Sequence, residues 1–367
     1  MDFRRFSIPL LNKSLIVFFR DALRVAIRSP GQAMAFFRTL LYLRRAARKR
    51  EQWKRQGVPV PPIVIFSITQ QCNLQCEGCY AQAFHSASEG EMETEQLRLV
   101  IEEARQLGVS FFVLAGGEPF MRPEILDITA DFPEMIFMIF SNGLLIDDEM
   151  IAGLKHRKNV VPLLSLEGSA EDTDRRRGEG VSAAVHRVMD RLRRAHVFFG
   201  TSMTIARENY ATLTEEGYIR DLVRSGCKFF LFLEYTPIQP GTEDRALTGP
   251  EREKLIGLMK AFRSRLPALF ITVPGDEAEV GGCLAAGRGF VHINAAGDLE
   301  PCPFAPFSDS NVLRSSLKEA LCSPLLEHIR RHPEKLVVTP GGCVLWKNRE
   351  WVQSLLDRED SPETVLD

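Results

Sequence analysis

Cys72, Cys76 and Cys79 fall between Gln71 and Tyr80 at the spacing C-x3-C-x2-C. A zinc knuckle or a set of buried thiols is the plain explanation, but structural zinc takes four ligands and no fourth Cys or His follows at the usual spacing. Three thiolates on one loop suit a four-iron cluster, which ordinarily takes four cysteines, and they leave one iron open to an outside ligand. An open iron is a place for chemistry. The next motif is Ala115-Gly116-Gly117-Glu118-Pro119. Its paired glycines permit close backbone approach, and Glu118 offers an acceptor to an ammonium or an iron-bound amine. In Ser141-Asn142-Gly143 and Ser165-Leu166-Glu167-Gly168, the serines are hydroxyl donors and Glu167 is a further acceptor. Capping and turn chemistry is the competing explanation of both. Last comes Glu234-Tyr235-Thr236-Pro237, whose carboxylate and phenol suit substrate contact or proton transfer, with a satisfied structural carboxylate as the alternative.

Together the cysteine loop and the Gly116-Gly117-Glu118-Pro119 run resemble the radical S-adenosylmethionine (SAM) superfamily. The resemblance implies a [4Fe-4S] cluster on Cys72, Cys76 and Cys79 whose unique iron chelates the amino and carboxylate groups of SAM. It implies that the reduced cluster cleaves the sulfonium to methionine and a 5'-deoxyadenosyl radical, which abstracts hydrogen from a substrate or adds to it. By the same resemblance Gly116, Gly117, Glu118 and Pro119 contact the methionine amino group. Ser141, Asn142, Ser165 and Glu167 stand where relatives bind the cofactor's carboxylate and ribose. One position departs from the family pattern: the residue before the last cysteine, often an aromatic packed on adenine, is Gly78, with Tyr80 just after the loop. Further on, Cys283, thirteen residues, Gly297, four residues and Cys302 resemble the opening half of the SPASM/twitch auxiliary-cluster modules. Cys343 in Gly341-Gly342-Cys343 would supply a third ligand, and too few cysteines follow for a full SPASM module, so a single auxiliary iron-sulfur cluster is expected. Cys322 is the alternative fourth ligand. Otherwise Cys322 and Cys227 read as packing residues.

The elements that must position these groups are short β-rich runs alternating with amphipathic stretches. Strands are expected near 63–68, 110–114, 136–140, 160–165, 197–204 and 228–234, and helices at Thr94–Leu107, Val181–Arg194 and Tyr210–Arg224. Strand-then-helix recurrence implies a parallel sheet with right-handed crossovers, and six units imply an α/β partial (β/α)6 barrel of the radical SAM type. Each motif then falls at the carboxyl end of a strand, where barrel enzymes place their sites, with Glu234 and Tyr235 facing the mouth, and the family resemblance implies that these two stand too far along the sheet from the cluster to be cofactor ligands. A helical stretch from Leu317 to Ile329 and a closing helix around Trp351–Leu356 are expected near the end. The expected division is a basic helical extension over 1–57, the barrel over 58–275 and a SPASM/twitch-like module over 276–367.

The chain has 367 residues, 45% hydrophobic and 26% charged, which excludes a disordered chain or a disulfide-stapled miniature. Its net charge of -2 conceals a division, because residues 1–56 carry 14 Lys/Arg against 3 Asp/Glu while the remainder is acidic. In that segment two amphipathic helices, broken at Pro30-Gly31, carry Phe18, Phe19, Phe36 and Phe37 beside the basic cluster Arg44, Arg45, Arg48, Lys49 and Arg50. Docking on an anionic membrane surface is the expectation, against a solvated lid on the barrel or an RNA-binding arm. The longest apolar run there, Leu15 to Phe19, is far short of the about 20 residues that cross a bilayer. Eight cysteines without a secretory leader fit a reducing cytosol better than a disulfide framework, so the expected location is cytoplasmic and peripheral on the inner face of the membrane. Reduced ferredoxin or flavodoxin is the implied electron donor, and nucleic acid is not an expected partner. The expected function is radical SAM chemistry on a lipid or membrane-associated substrate. Peptide or protein maturation is one alternative, and a non-enzymatic iron-sulfur carrier or scaffold is the other.

Overall fold

Strands and helices alternate through residues 30–84, 90–275, 277, 281–338 and 343–359, which the computed structural model describes, with side chains from Arg38 in the first helix to Asp357 in the last. The strands are β1 (Ile63–Thr69), β2 (Phe111–Gly116), β3 (Ile136–Ser141), β4 (Val160–Leu166), β5 (Gly200–Ile205), β6 (Phe229–Glu234), β7 (Leu269–Val273), β8 (Phe290–Ile293) and β9 (Leu299–Glu300). They form one sheet in the order β7-β6-β5-β4-β3-β2-β1-β8-β9, parallel throughout except for the last pair. The helices are α1 (Pro30–Arg55), α2 (Tyr80–Ala83), α3 (Thr94–Leu107), α4 (Ile125–Ala130), α5 (Asp148–His156), α6 (Ala170–Arg177) and α7 (Val181–Arg194). They continue with α8 (Tyr210–Thr214), α9 (Glu216–Arg224), α10 (Gly249–Arg265), α11 (Leu317–Ala320), α12 (Pro324–Arg331), α13 (Val344–Lys347) and α14 (Arg349–Glu359).

Alternation along each strand sorts the two faces of the sheet. Val64, Phe66, Phe112, Leu114, Phe137, Ile139, Phe230 and Phe232 pack into the core shared with the helices. Leu163, Phe229, Leu231 and Leu269 form a second cluster that contains no helical residue, so it lies on the inner, concave face. Half-buried Met138, Phe140, Val161, Leu233, Ile271 and Val273 continue that lining. Rings stitch neighbouring strands on the helical side, Phe112 stacking on Phe137 at 5.7 Å and Phe230 on Phe270 at 4.9 Å. Helix α3 shows how the outer layer is fixed. A capping box of Glu93 and Gln96 starts it, Leu97, Val100, Ile101 and Ala104 face the sheet, and left-handed Gly108 (φ 99°) ends it.

The expected α/β partial barrel is present, and the six expected strands are β1 to β6. A seventh, β7, was not expected from Leu269–Val273, a short apolar run whose periodicity cannot separate a buried strand from a helix. The stretch 210–224 is two helices, because Glu215 is extended between α8 and α9. The stretch 317–329 is likewise broken, with Pro324 opening α12 behind the cap Ser323. Strands β8 and β9 continue the barrel sheet across the expected boundary at 275/276, β8 pairing directly with β1.

The first basic helix expected, and the side chains of Phe18, Phe19, Phe36 and Phe37, lie outside the described residues. Helix α1 packs on the α3–β2 corner. Tyr42 donates to the Val109 carbonyl at 2.7 Å, and Arg50 donates to the Gly108 carbonyl at 2.5 Å and to Ser110 Oγ at 2.9 Å. Arg50 is therefore buried in the fold and does not present its charge with the rest of the basic cluster. Among the described residues no helix is long and apolar enough to cross a membrane.

Candidate active site

The cysteine loop leaves β1 and lies directly on the end of β2. Gly117 N donates to the Thr69 carbonyl and Glu118 N to the Gln71 carbonyl, each at 2.8 Å. A Cβ at Gly116 would stand 2.1 Å from the Thr69 oxygen, and one at Gly117 would stand 2.0 Å from the Gln71 oxygen. Gly116 also has φ 124°, so the pair of glycines is what lets the two loops touch. Glu91 holds the same turn from outside, accepting from Thr69 Oγ1 at 3.0 Å and from Gln70 N at 2.7 Å.

Glu118 is buried at the junction of β2 and β3. Its Oε1 accepts from Phe120 N at 3.1 Å and Ser141 Oγ at 2.9 Å, and its Oε2 accepts from Asn142 N at 2.7 Å. Burial pushes its carboxyl above the ordinary value, and these hydrogen bonds oppose the rise. The Ser141 hydroxyl hydrogen is thus used within the chain, and its oxygen accepts from Gly143 N at 2.9 Å. Asn142 Nδ2 reaches Asn73 Oδ1 at 2.7 Å, tying β3 to the cysteine loop. On the concave side Ser165 Oγ and Ser202 Oγ stand 3.3 Å apart.

Glu167 receives two guanidinium groups on one oxygen. Arg176 Nη1 lies 2.6 Å from Oε1, and Arg177 approaches the same atom through Nε at 2.8 Å and Nη2 at 2.5 Å. Oε2 is buried without a hydrogen-bond partner among the described residues. The last turn of α6 also grips the cysteine loop. Glu77 N donates to the Arg176 carbonyl at 2.8 Å, Arg176 Nε returns a bond to the Glu77 carbonyl at 3.1 Å, and Arg177 Nη1 comes within 3.9 Å of Cys76 Sγ. Sequence reasoning passed over these arginines. The signal was the run Arg175-Arg176-Arg177 a few residues beyond Glu167, indistinguishable by type from a solvated helix end.

The end of β6 splits its two candidates. Glu234 shares its strand face with Phe230 and Phe232 and points to the helical layer, where Arg252 Nε of α10 lies 2.8 Å from its Oε1. Burial raises its carboxyl to about 7, with Arg252 pulling the other way. This corrects the expected pair at the mouth: strand alternation sends successive side chains to opposite faces, so only Tyr235 reaches it. Tyr235 also corrects the expected distance. Its ring would lie 3.3 Å from a Cβ at Gly78, because the sheet curves enough to bring the end of β6 back over the cysteine loop. Arg245 lies 4.8 Å from the centre of that ring and bonds Glu77 at 2.8 Å. The Tyr235 hydroxyl is buried without a partner among the described residues.

Cys283, Cys302 and Cys343 come together from separate segments. Cys302 hydrogen-bonds to Cys343, and the Cys283 sulfur interacts electrostatically with both. The bond from Cys302, and amides of Trp346 and Leu345 at the start of α13, hold the Cys343 thiol below its ordinary value. Burial pushes Cys283 up. Gly341 and Gly342 lie outside the described residues. Cys322 does not join this group. It is exposed in the turn before Pro324 rather than packed in the core, whereas Cys227 is buried with its Sγ 3.3 Å from the Phe229 carbonyl. Tyr80 sits between the two cysteine sets, its ring 5.1 Å from that of Phe304.

A donor set of three thiols on a clamped loop, edged by the unpartnered Glu167 Oε2 and Tyr235 hydroxyl, fits a four-iron cluster with one open iron and a polar ligand beside it. The radical SAM superfamily model matches residues 66–215. The AdoMet-dependent heme synthase of Methanosarcina barkeri is 23% identical over 313 residues, covering 77% of this chain and 88% of that protein. The mycofactocin maturase MftC of Mycobacterium tuberculosis is 28% identical over 283 residues, covering 72% of this chain and 70% of its own. The crystal structure of Streptococcus suis SuiB bound to SAM superposes with a TM-score of 0.65 at 17% identity, over 88% of this chain and 80% of that one. The matched region begins inside β1 and holds the whole cysteine loop and its clamps, so residues 66–215 form a radical SAM domain, and the chain is similar over most of its length to radical SAM enzymes.

Proposed function

We propose that this protein cleaves SAM reductively at a [4Fe-4S] cluster on Cys72, Cys76 and Cys79, holds one auxiliary iron-sulfur cluster on Cys283, Cys302 and Cys343, and acts on a substrate seated against the concave face of the sheet. When bound, the cluster and SAM supply a 5'-deoxyadenosyl radical. The observation that carries this reading is the clamped cysteine loop, held by Gly117, Glu118, Asn142 and Arg176 on three sides with Glu167 Oε2 unpartnered beside it. In that cradle Glu118 and the turn after Gly117 orient the cofactor's amino group, and Ser165 and Glu167 Oε2 receive its ribose hydroxyls. Arg177 offers its carboxylate a cation. Tyr235, packed on Gly78, brings from β6 the aromatic surface that Gly78 lacks for adenine.

Anaerobic reconstitution, reduction with dithionite and mass spectrometry for 5'-deoxyadenosine test the reading. Replacing Cys72, Cys76 and Cys79 with Ala should abolish the product, and a wild-type rate in that variant would overturn it. For the substrate, likeness over most of the length of a heme synthase and a half-exposed apolar lining favour a tetrapyrrole. The likeness to a peptide maturase supports a peptide as the second reading. Reduced ferredoxin or flavodoxin is the proposed electron donor. Residues 1–56 are proposed to dock the enzyme on the cytoplasmic face of an anionic membrane, the +11 net charge of that segment supplying attraction.

A further inference from the structure

Three polar side chains lie in a row across β1, β8 and β9, outside the cofactor cradle. Ser67 Oγ is 2.8 Å from His292 Nε2, and His292 Nδ1 is 2.6 Å from Glu300 Oε2. Their residues are 9%, 5% and 5% exposed. Register accounts for the alignment. Ile65 pairs with His292 and His292 with Glu300, so all three side chains share the face of Ile63 and Ile65, opposite the core residues Val64, Phe66 and Ile68. That is the concave face.

The row is built and oriented. Glu300 Oε1 accepts from Asn294 Nδ2 at 3.0 Å, while Asn294 Oδ1 accepts from Ala296 N at 3.0 Å and Asp298 N at 2.9 Å, so the β8–β9 turn fixes the carboxylate. An ionised carboxylate only accepts, which places the Nδ1 hydrogen of His292 toward Glu300. In that tautomer Nε2 accepts from the Ser67 hydroxyl. Ser67 Oγ shares the concave face with half-buried Ile65 and Val113, which pair across β1 and β2. Hydroxyl, imidazole and carboxylate in this sequence make a base-assisted hydroxyl on any fold that assembles them.

We propose that Ser67 is a catalytic residue that withdraws a proton from the substrate, with His292 as proton acceptor and Glu300 as its positioning partner. The substrate is then one with an acidic X–H, such as a carboxyl or a C–H next to a carbonyl. The X–H bond breaks with its electron pair left on X. The proton joins Ser67 Oγ as the hydrogen of Ser67 moves to His292 Nε2, and the imidazolium forms against Glu300. The charges balance and no other reactant is needed. This rests on the reading that substrate occupies the concave face, but its first test needs neither SAM nor substrate.

In the anaerobically reconstituted protein, Ser67→Cys is treated with iodoacetamide, and alkylation at position 67 is followed by peptide mass spectrometry with exposed Cys322 as internal reference. The expected rate, relative to Cys322, is at least tenfold higher than in Ser67→Cys combined with His292→Gln. If the latter fails to retain iron, Glu300→Gln replaces His292→Gln in the comparison. Equal rates, or no alkylation at position 67, would overturn the proposal. In reactions with anaerobic cell extract as the substrate source, Ser67→Ala should lower the ratio of product to 5'-deoxyadenosine at least tenfold. An unchanged ratio would also overturn it. Loss of 5'-deoxyadenosine itself would instead count against the cofactor cradle.

Discussion

Replacing Gly117 with Ala should dislodge the cysteine loop while leaving the sheet folded. The new Cβ would stand 2.0 Å from the Gln71 oxygen, 2.5 Å from its carbonyl carbon and 2.7 Å from the Gln70 oxygen, all backbone atoms with no rotamer to escape into. Reaching an ordinary 3.4 Å requires the loop to retreat by about 1.4 Å, the difference between 3.4 and 2.0 Å. Overpacking of this kind costs about 1–3 kcal/mol. Breaking the hydrogen bond from Glu118 N to the Gln71 carbonyl adds about 0.5–1.5 kcal/mol. A loss of about 1.5–4.5 kcal/mol lowers the melting temperature by about 3–18 °C, taking about 2–4 °C per kcal/mol. Function should suffer more, since a misplacement near 1 Å can cost about 100-fold in rate. Iron content, melting temperature and the rate of 5'-deoxyadenosine formation are the measurements, with Gly257→Ala as reference. Gly257 lies inside α10 with open space around its missing Cβ, so that variant should be neutral or more stable by about 0.5–1 kcal/mol. Full iron, full activity and an unchanged melting temperature in Gly117→Ala would refute the argument that close approach demands this glycine.

Other outcomes follow from separate parts of the molecule. Arg50→Ala removes bonds to the Gly108 carbonyl and Ser110 Oγ and should cost about 1–3 kcal/mol by urea denaturation; no change would mean that α1 does not pack on that corner in solution. Glu234, with its carboxyl raised from 4.5 to about 7, contributes stability that is present in full below 4.5 and lost as the pH rises through about 7. Glu234→Gln should therefore flatten the change in urea midpoint between pH 5 and 8, and an undiminished slope would count against the assignment. Iron should fall from about eight to about four per chain when Cys283, Cys302 and Cys343 are replaced by Ala, and stay at about eight in Cys322→Ser. The full chain should float with anionic liposomes at low salt, more than a chain beginning at Val58, and equal flotation of the two would exclude membrane docking by residues 1–56.

The parts legible in the sequence were those whose type and spacing carry their own physics. Three cysteines within one turn, a glycine pair before a carboxylate, and β-branched runs broken by helical periods each point to one arrangement. What stayed hidden depended on partners far away in the chain. Glu234 and Tyr235 are adjacent, yet only the register of β6 decides which of them meets Arg252 and which meets Gly78. Arg176 and Arg177 became part of the site because α6 ends against Glu77. His292 carried no motif at all, and its role appears only once β8 pairs with β1 and β9 with β8. Cys322 misled in the opposite sense, since a helical pattern on both sides concealed the turn in which it is exposed.

The direct pairing of β8 with β1 turns the sheet into a ruler. The cysteine loop springs from β1, and Cys283 and Cys302 flank the β8–β9 hairpin, so the strands nearest the two thiol sets share backbone hydrogen bonds. Neighbouring strands stand about 4.8 Å apart, a spacing that no hinge can stretch without breaking the ladder. An electron passing between the two sets would meet a fixed gap, whether or not substrate were present. Its rate would then respond to driving force rather than to domain closure.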